Sequence, residues 1–172
     1  MEKTTFHLIK IYVYWEEFKN TLLFPIFNVM PDVHNKETRS YNMSQIKGKN
    51  TKPEILVRKF LHAQGFRFRL HDKKLPGKPD IVLPKYNTVV QIHGCFWHGH
   101  EGCKYFVIPK TRKEWWTEKI NKTKFKDSEN EEKLQKLGWK IITIFECDLK
   151  SELKEITLNN LQRELQIGNT NN

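Results

Sequence analysis

Apolar residues fall into blocks of distinct period along the 172-residue chain, and each period predicts an element. Between Thr51 and Gly65, the residues Ile55, Leu56, Phe60 and Leu61 supply a helical face. Thr51 and Glu54 stand at capping-box spacing ahead of it, and Gly65 supplies a stop. Phe66-Arg-Phe-Arg-Leu70 alternates with period two, which predicts a strand with one buried face. Pro76-Gly-Lys-Pro79 forms a turn into a second strand over residues 80–83, and residues 88–92 form a third. Thr111 is placed to cap a long charged helix that Gly138 ends. Residues 139–145 then read as a largely buried strand, and Ser151 as the cap of a closing helix to about Leu165. Helix, strands, helix, strand, helix is the order of an α/β sandwich with a mixed sheet.

The remaining segments differ in character. Residues 1–29 form an apolar and aromatic N-terminal extension, but Lys10, Glu16, Glu17, Lys19 and Pro25 interrupt it before the roughly 18 continuous apolar residues of a membrane span accumulate. Nor is it a clean signal peptide. It reads either as an added helix packed on the domain or as a segment ahead of a start at Met30. Residues 30–50 are polar and basic with little to bury and read as a surface arm, of the kind that tracks a nucleic-acid groove; residues 51–166 form the domain, and residues 167–172 a polar tail.

Charge and cysteines narrow the chemistry. Thirty Lys and Arg against twenty Asp and Glu give a net charge of +10, which favours a polyanionic partner. Three cysteines cannot pair fully within the chain, so a reducing cytoplasm fits better than a secreted disulfide framework. Cys95, His98, His100 and Cys103 fall within nine residues, and Cys147 follows the last core strand. Three thiolates and one imidazole complete a tetrahedral structural zinc site, with His98 and His100 both open to the imidazole role.

A second constellation starts at Pro79-Asp80. The aspartate at one strand start and Gln91-Ile92-His93 at the end of the next resemble the nuclease pattern in which two strand ends hold a metal between them. Mg²⁺ takes oxygen ligands and needs an anchoring carboxylate, which Asp80 supplies. Gln91 and His93 stand where that pattern ordinarily has glutamate and lysine, which makes His93 and His98 candidates for proton transfer. Glu54 has two readings, helix cap and site carboxylate. Phe96-Trp97 and Trp115-Trp116 lie among basic residues and suit wedging between bases, where unstacking is easiest at a mismatch. Adjacent helix positions point in different directions, so at least one of Trp115 and Trp116 is expected in the core. Lys73, Lys74 and Lys78 are placed to meet phosphates.

Taken together, Asp32-Val-His, Thr38-Arg-Ser, Asn42-Met43, Leu75-Pro-Gly-Lys-Pro-Asp80, His93-Gly-Cys-Phe-Trp-His98, Pro109-Lys-Thr-Arg112, Trp116-Thr-Glu-Lys-Ile120, Leu137-Gly-Trp139 and Glu146-Cys147 resemble the very short patch repair (Vsr) DNA mismatch endonucleases. The resemblance runs from about Asp32 to about Leu149. It implies a restriction-endonuclease-like fold, a three-layer sandwich around a central mixed β-sheet with a structural zinc site. It also implies Mg²⁺-dependent nicking of one strand on the 5′ side of the thymine in a T·G mismatch, the product of 5-methylcytosine deamination. Under it, residues 51–166 are the endonuclease domain. Asp80 and the Ile92 carbonyl bind Mg²⁺, while His93, His98 and Glu54 arrange water and phosphate. Cys95, His100, Cys103 and Cys147 hold zinc. Phe96, Trp97 and Trp116 enter the base stack from the major groove and Met43 approaches from the minor groove. The implied partners are double-stranded DNA with a T·G mismatch, mismatch-repair mediator proteins and a repair DNA polymerase acting after the nick. Two features depart from one member of that family: Gly102 lengthens the zinc loop by one residue, and residues 1–29 have no counterpart there. Two rivals stand beside this reading, a restriction or structure-selective nuclease on the same fold and a zinc-bearing DNA-binding module without catalysis.

Overall fold

The computed structural model describes residues 35–167. Expectations for the extension at residues 1–29, for the first part of the arm through residue 34 and for residues 168–172 of the tail lie outside the described residues. All the described residues belong to one unit, His34–Asn172.

Asn35 caps helix α1 (Lys36–Ser44), its side-chain oxygen accepting the Thr38 N–H at 2.8 Å. The stretch read as a surface arm therefore carries a helix. Tyr41 and Met43 on it are exposed, and it has no apolar stripe that would announce it. Helix α2 (Lys52–Ala63) has both halves of the expected capping box: Glu54 N–H donates to Thr51 Oγ1 at 3.4 Å, and Thr51 N–H donates to Glu54 Oε1 at 3.3 Å.

Four strands form one mixed sheet in the order β1 (Arg69–Leu70), β2 (Ile81–Leu83), β3 (Thr88–His93), β4 (Lys140–Phe145). The pairs β1·β2 and β2·β3 are antiparallel, and β3·β4 is parallel. A parallel pair needs a long crossover. Helix α3 (Lys113–Lys136) lies within it, and helix α4 (Leu153–Ile167) follows β4. Side-chain alternation along the strands sorts the core into two clusters. Ile81, Leu83, Val90, Ile92 and Ile144 pack with Val57 and Leu61 of α2 and with Leu158, Leu161 and Leu165 of α4. Val82 and Val89 turn the other way and pack with Leu134 of α3, joined by Leu75, Trp139 and Ile141.

Several local expectations are corrected. β1 covers only the last two residues of the alternating run, while Phe66 and Phe68 leave the strand and pack into the α2/α4 cluster. β4 is an edge strand, so of its six residues only Ile144 is buried. Arg112, not Thr111, holds the N-cap position of α3, in left-handed backbone (φ 55°) with no side-chain cap bond; its guanidinium lies 4.8 Å from the Trp115 ring centre instead. Ser151 also has left-handed φ (47°), whereas a capping serine is extended, and α4 begins at Leu153. No helix among the described residues is long and apolar enough to cross a membrane.

Candidate active site and metal centre

β3 and β4 run in parallel and end side by side, His93 opposite Phe145. The carboxyl ends of parallel strands are where open α/β sheets present their chemistry. The chain leaving β3 supplies Cys95, His100 and Cys103, and the chain leaving β4 supplies Cys147. Their ligand atoms all lie within 4.8 Å of one another. Zn–S bonds of about 2.3 Å in a tetrahedron set sulfurs roughly 3.8 Å apart, so this donor set can hold such an ion. The geometry separates the two candidate histidines. His100 Nδ1 sits 3.4 Å from Cys147 Sγ, and its ring stacks on Phe145 at 3.8 Å and 10°. His98 is engaged elsewhere. Burial pushes the Cys95 and Cys147 thiols up, while the Tyr105 main-chain amide holds Cys103 below the usual thiol range.

Gly99 explains how closely the loop lies on α3. Its φ is +60°, and a Cβ there would come within 2.9 Å of Ile120 Cγ2 and Lys124 Cδ. Only glycine lets the backbone pass between His98 and His100 at that distance.

On the far side of the strand end, Asp80 Oδ2 accepts the Ile92 N–H at 2.8 Å. Burial raises the Asp80 carboxyl above its usual range; the Ile92 bond opposes this, the Glu54 charge adds to it, and His71 and Arg58 counter it. His71 Nδ1 lies 3.7 Å from Asp80 Oδ1, and its Nε2 is 2.9 Å from Arg58 Nη2. The same guanidinium pairs with Glu54 and donates to Asn50 Oδ1 at 2.6 Å. Glu54 is thus occupied by its capping partners and by Arg58, and it lines the same cleft as Asp80.

A third cluster completes the site. The His93 and His98 rings stack at 3.7 Å and 7°, and His98 Nδ1 meets Asp127 Oδ2 at 2.7 Å. Burial first, then the neighbouring His98, pushes the His93 imidazole down to about 4, so it is neutral at neutral pH. The carboxylate bond fixes the His98 tautomer, placing the proton on Nδ1 and leaving Nε2 as an acceptor. One cleft of about 990 Å³ is lined by Asp80, Gln91, His93, His98 and Asp127, with Lys47, Lys49, Lys52, Lys73 and Lys78 around it. The Asp80 carboxylate and the Ile92 carbonyl stand at one strand end, and the amide oxygen of buried Gln91 has no hydrogen-bond partner among the described residues. An oxygen-rich donor set of this kind fits a hard divalent cation.

The predicted wedge aromatics converge. Phe96 contacts Trp97 at 5.1 Å and Trp116 at 5.2 Å, and Trp97 lies 6.1 Å from Trp116. Trp116 is half-buried and Trp115 is 43% exposed, so neither is the core residue expected of the pair. Met43 is exposed on α1 and does not line the cleft. Of the predicted lysines, Lys73 and Lys78 line it and Lys74 does not. Sequence reading missed Asp127, His71 and Arg58. Asp127 lies 29 residues beyond its histidine on a helix crowded with charge, where no spacing marks it.

A strand end that offers a carboxylate, a carboxylate-oriented histidine and a lysine-rimmed cleft is equipped for phosphodiester hydrolysis, and comparison with known proteins agrees. The DNA mismatch endonuclease Vsr family profile matches residues 31–104. A Type II nicking enzyme, V.NmeAIP, of Neisseria meningitidis serogroup A / serotype 4A is 51% identical over 138 residues, spanning 80% of this chain and 98% of the relative. V.XorIIP, a Type II nicking enzyme of Xanthomonas oryzae pv. oryzae, is 46% identical over 120 residues, spanning 70% and 88%. The DNA mismatch endonuclease Vsr of Escherichia coli K12 is 44% identical over 125 residues, spanning 73% and 80%. The chain is a DNA endonuclease. It belongs to the Vsr family.

Proposed function

We propose that the protein is a Mg²⁺-dependent mismatch endonuclease that nicks one strand 5′ of the thymine in T·G pairs left by 5-methylcytosine deamination. The observation that carries this reading is the union of cutting and probing groups on one loop: His93 and His98 face the cleft, while Phe96 and Trp97 between them join Trp116 in a half-buried cluster. Aromatics so held can enter a stack where it is already weak, and this is how a mismatch would be chosen over a matched pair. Met43 on the exposed helix α1 would reach the opposite groove. The name of the E. coli relative supports the mismatch role, the names of the other two relatives support nicking, and packing on both sheet faces supports a restriction-endonuclease-like three-layer fold.

Asp80 and the Ile92 carbonyl would hold Mg²⁺, which when bound polarises a water and offsets charge on the scissile phosphate. His98 Nε2, with Nδ1 tied to Asp127, takes a proton from the attacking water, and the Asp127 carboxylate stabilises the resulting imidazolium. His93, held neutral and stacked on His98, orients water or phosphate by hydrogen bonding without adding a second positive charge. Glu54 holds the start of α2 and, through Arg58 and His71, the position of Asp80. The Cys95, His100, Cys103 and Cys147 set would bind a structural zinc that keeps the loop rigid.

The test is nicking of end-labelled duplexes carrying T·G, matched T·A or an unrelated bulge, with Mg²⁺, beside Asp80→Ala. Cleavage of T·G alone, lost in Asp80→Ala, is expected. Equal cleavage of the matched duplex would reassign the protein to restriction-type nicking, and no cleavage by folded, zinc-loaded protein would reduce it to a binding module.

A further inference from the structure

Gln91 stands one step past the last register pair of β2 and β3, Ile81 with Val90, and is therefore opposite Asp80. Both residues line the cleft, and Gln91 is 7% exposed. Its amide oxygen is completely enclosed and accepts no hydrogen bond among the described residues. Burial of an unpaired carbonyl oxygen is unfavourable, and packing alone would be served better by leucine or methionine. The other oxygen and nitrogen donors around Asp80 are committed: the Glu54 oxygens to Asn50, Thr51 and Arg58, and His71 Nε2 to Arg58. Among the described side chains lining this part of the cleft, Gln91 offers an uncommitted buried oxygen, beside the main-chain carbonyl of Ile92.

We infer that Gln91 is a direct oxygen ligand of the divalent cation held at Asp80, making the centre one carboxylate and two neutral carbonyls, from Gln91 and Ile92. This rests on the reading of Asp80 as the cation site. An amide carbonyl is a proper ligand for a hard cation, but it contributes no charge, and cation affinity scales with the number of charged ligands. The site is consequently built to bind its cation weakly on its own and to gain the rest of its charge from the phosphate of bound DNA.

The experiment titrates Mn²⁺ into the full, zinc-loaded chain without DNA and counts free Mn²⁺ by electron paramagnetic resonance, for wild type, Gln91→Glu, Gln91→Leu and Asp80→Asn. Zinc content and melting temperature verify folding. Gln91→Glu, which restores a charged ligand at the same length, is expected to tighten binding by about tenfold, and Gln91→Leu to weaken it by at least about fivefold. The same Gln91→Glu chain should lose part of its dependence on DNA for metal binding, read as a smaller gain in Mn²⁺ affinity when duplex is added. Should Gln91→Glu fail to fold, the Leu variant decides alone. Unchanged binding in Gln91→Leu with binding lost in Asp80→Asn would overturn the role of Gln91 and leave Asp80 as the site. Unchanged binding in Asp80→Asn would overturn both.

Discussion

Asp127 gives the sharpest test of how the site works, because its function is exerted entirely through another residue. Asp127→Asn keeps the shape and a hydrogen-bonding group next to His98 but removes the negative charge that stabilises an imidazolium. It also removes the preference for a proton on Nδ1, since an amide can present either its oxygen or its NH₂ to the ring. A hydrogen bond to a charged group contributes about 1.5–3 kcal/mol. Both partners are 25% exposed, which screens the interaction and argues for the lower half of that range, about 1.5–2 kcal/mol. At 1.36 kcal/mol per decade this is roughly a 10- to 30-fold fall in kcat for Asp127→Asn. KM should stay within about twofold, because the charge acts on the transition state rather than on DNA binding. The measurement is single-turnover nicking under saturating duplex for the wild type, Asp127→Asn, His98→Ala and the double variant. The double variant should be no slower than His98→Ala, since Asp127 has nothing to orient once the imidazole is gone. Additive losses, or a wild-type rate in Asp127→Asn, would refute the reasoning.

Cys147→Ser should abolish bound zinc and lower unfolding free energy by more than about 3 kcal/mol, because a structural ion contributes directly to folding; an unchanged thermal midpoint in the zinc-free protein would refute the assignment. Asp80→Asn should abolish nicking yet raise the melting temperature at pH 7 without added Mg²⁺. The sign follows from the raised carboxyl: its folded-state advantage exists below the unfolded pKa and is lost as pH rises through the folded one, so at neutral pH the ionised group opposes folding and the amide does not. Thermal unfolding at pH 7 and pH 3 checks this, with the variant's advantage present only at the higher pH. Trp116→Ala should cut the preference for T·G over T·A by about 5- to 150-fold, from the roughly 1–3 kcal/mol that one aromatic stack contributes. Competitive cleavage of mixed duplexes measures it, and an intact preference would remove Trp116 from recognition.

The parts of the molecule that were legible in the sequence are those whose physics is local. The Thr51–Glu54 capping box marks α2 to within a residue, and the soft ligands around Cys95 mark a loop that could hold a metal because so many cluster so closely. Asp80 could be placed at a strand start from the turn before it, but its reading as an anchoring carboxylate rests on the family resemblance more than on spacing. Helix α1 escaped because pattern reading follows burial and α1 buries no apolar stripe. The exposure of β4 was invisible because its run of apolar residues is the same whether the strand is central or at an edge, and only the pairing order tells. Asp127 and His71 needed the fold itself. One is brought to its histidine by the packing of α3, the other to Asp80 by a left-handed turn at φ 48°, and neither arrangement leaves a trace in spacing. The choice between His98 and His100 was likewise made by partners, the one taken by Asp127 and the other by Cys147.

The two glycines that flank His100 have opposite neighbourhoods. At Gly99 a single added carbon would collide with α3 side chains, whereas Gly102 has nothing within 4 Å of its absent side chain. Packing is therefore tight on one flank of His100 and open on the other, so a change in loop length is expected to be absorbed on the open side. The stretch from His93 to Gly99 behaves as a fixed ruler between the cutting groups and the aromatics, and the stretch from Glu101 to Cys103 as slack that returns the chain to its last sulfur. Natural insertions in relatives should accumulate in the slack, and grafting of new sequence into this nuclease should begin there.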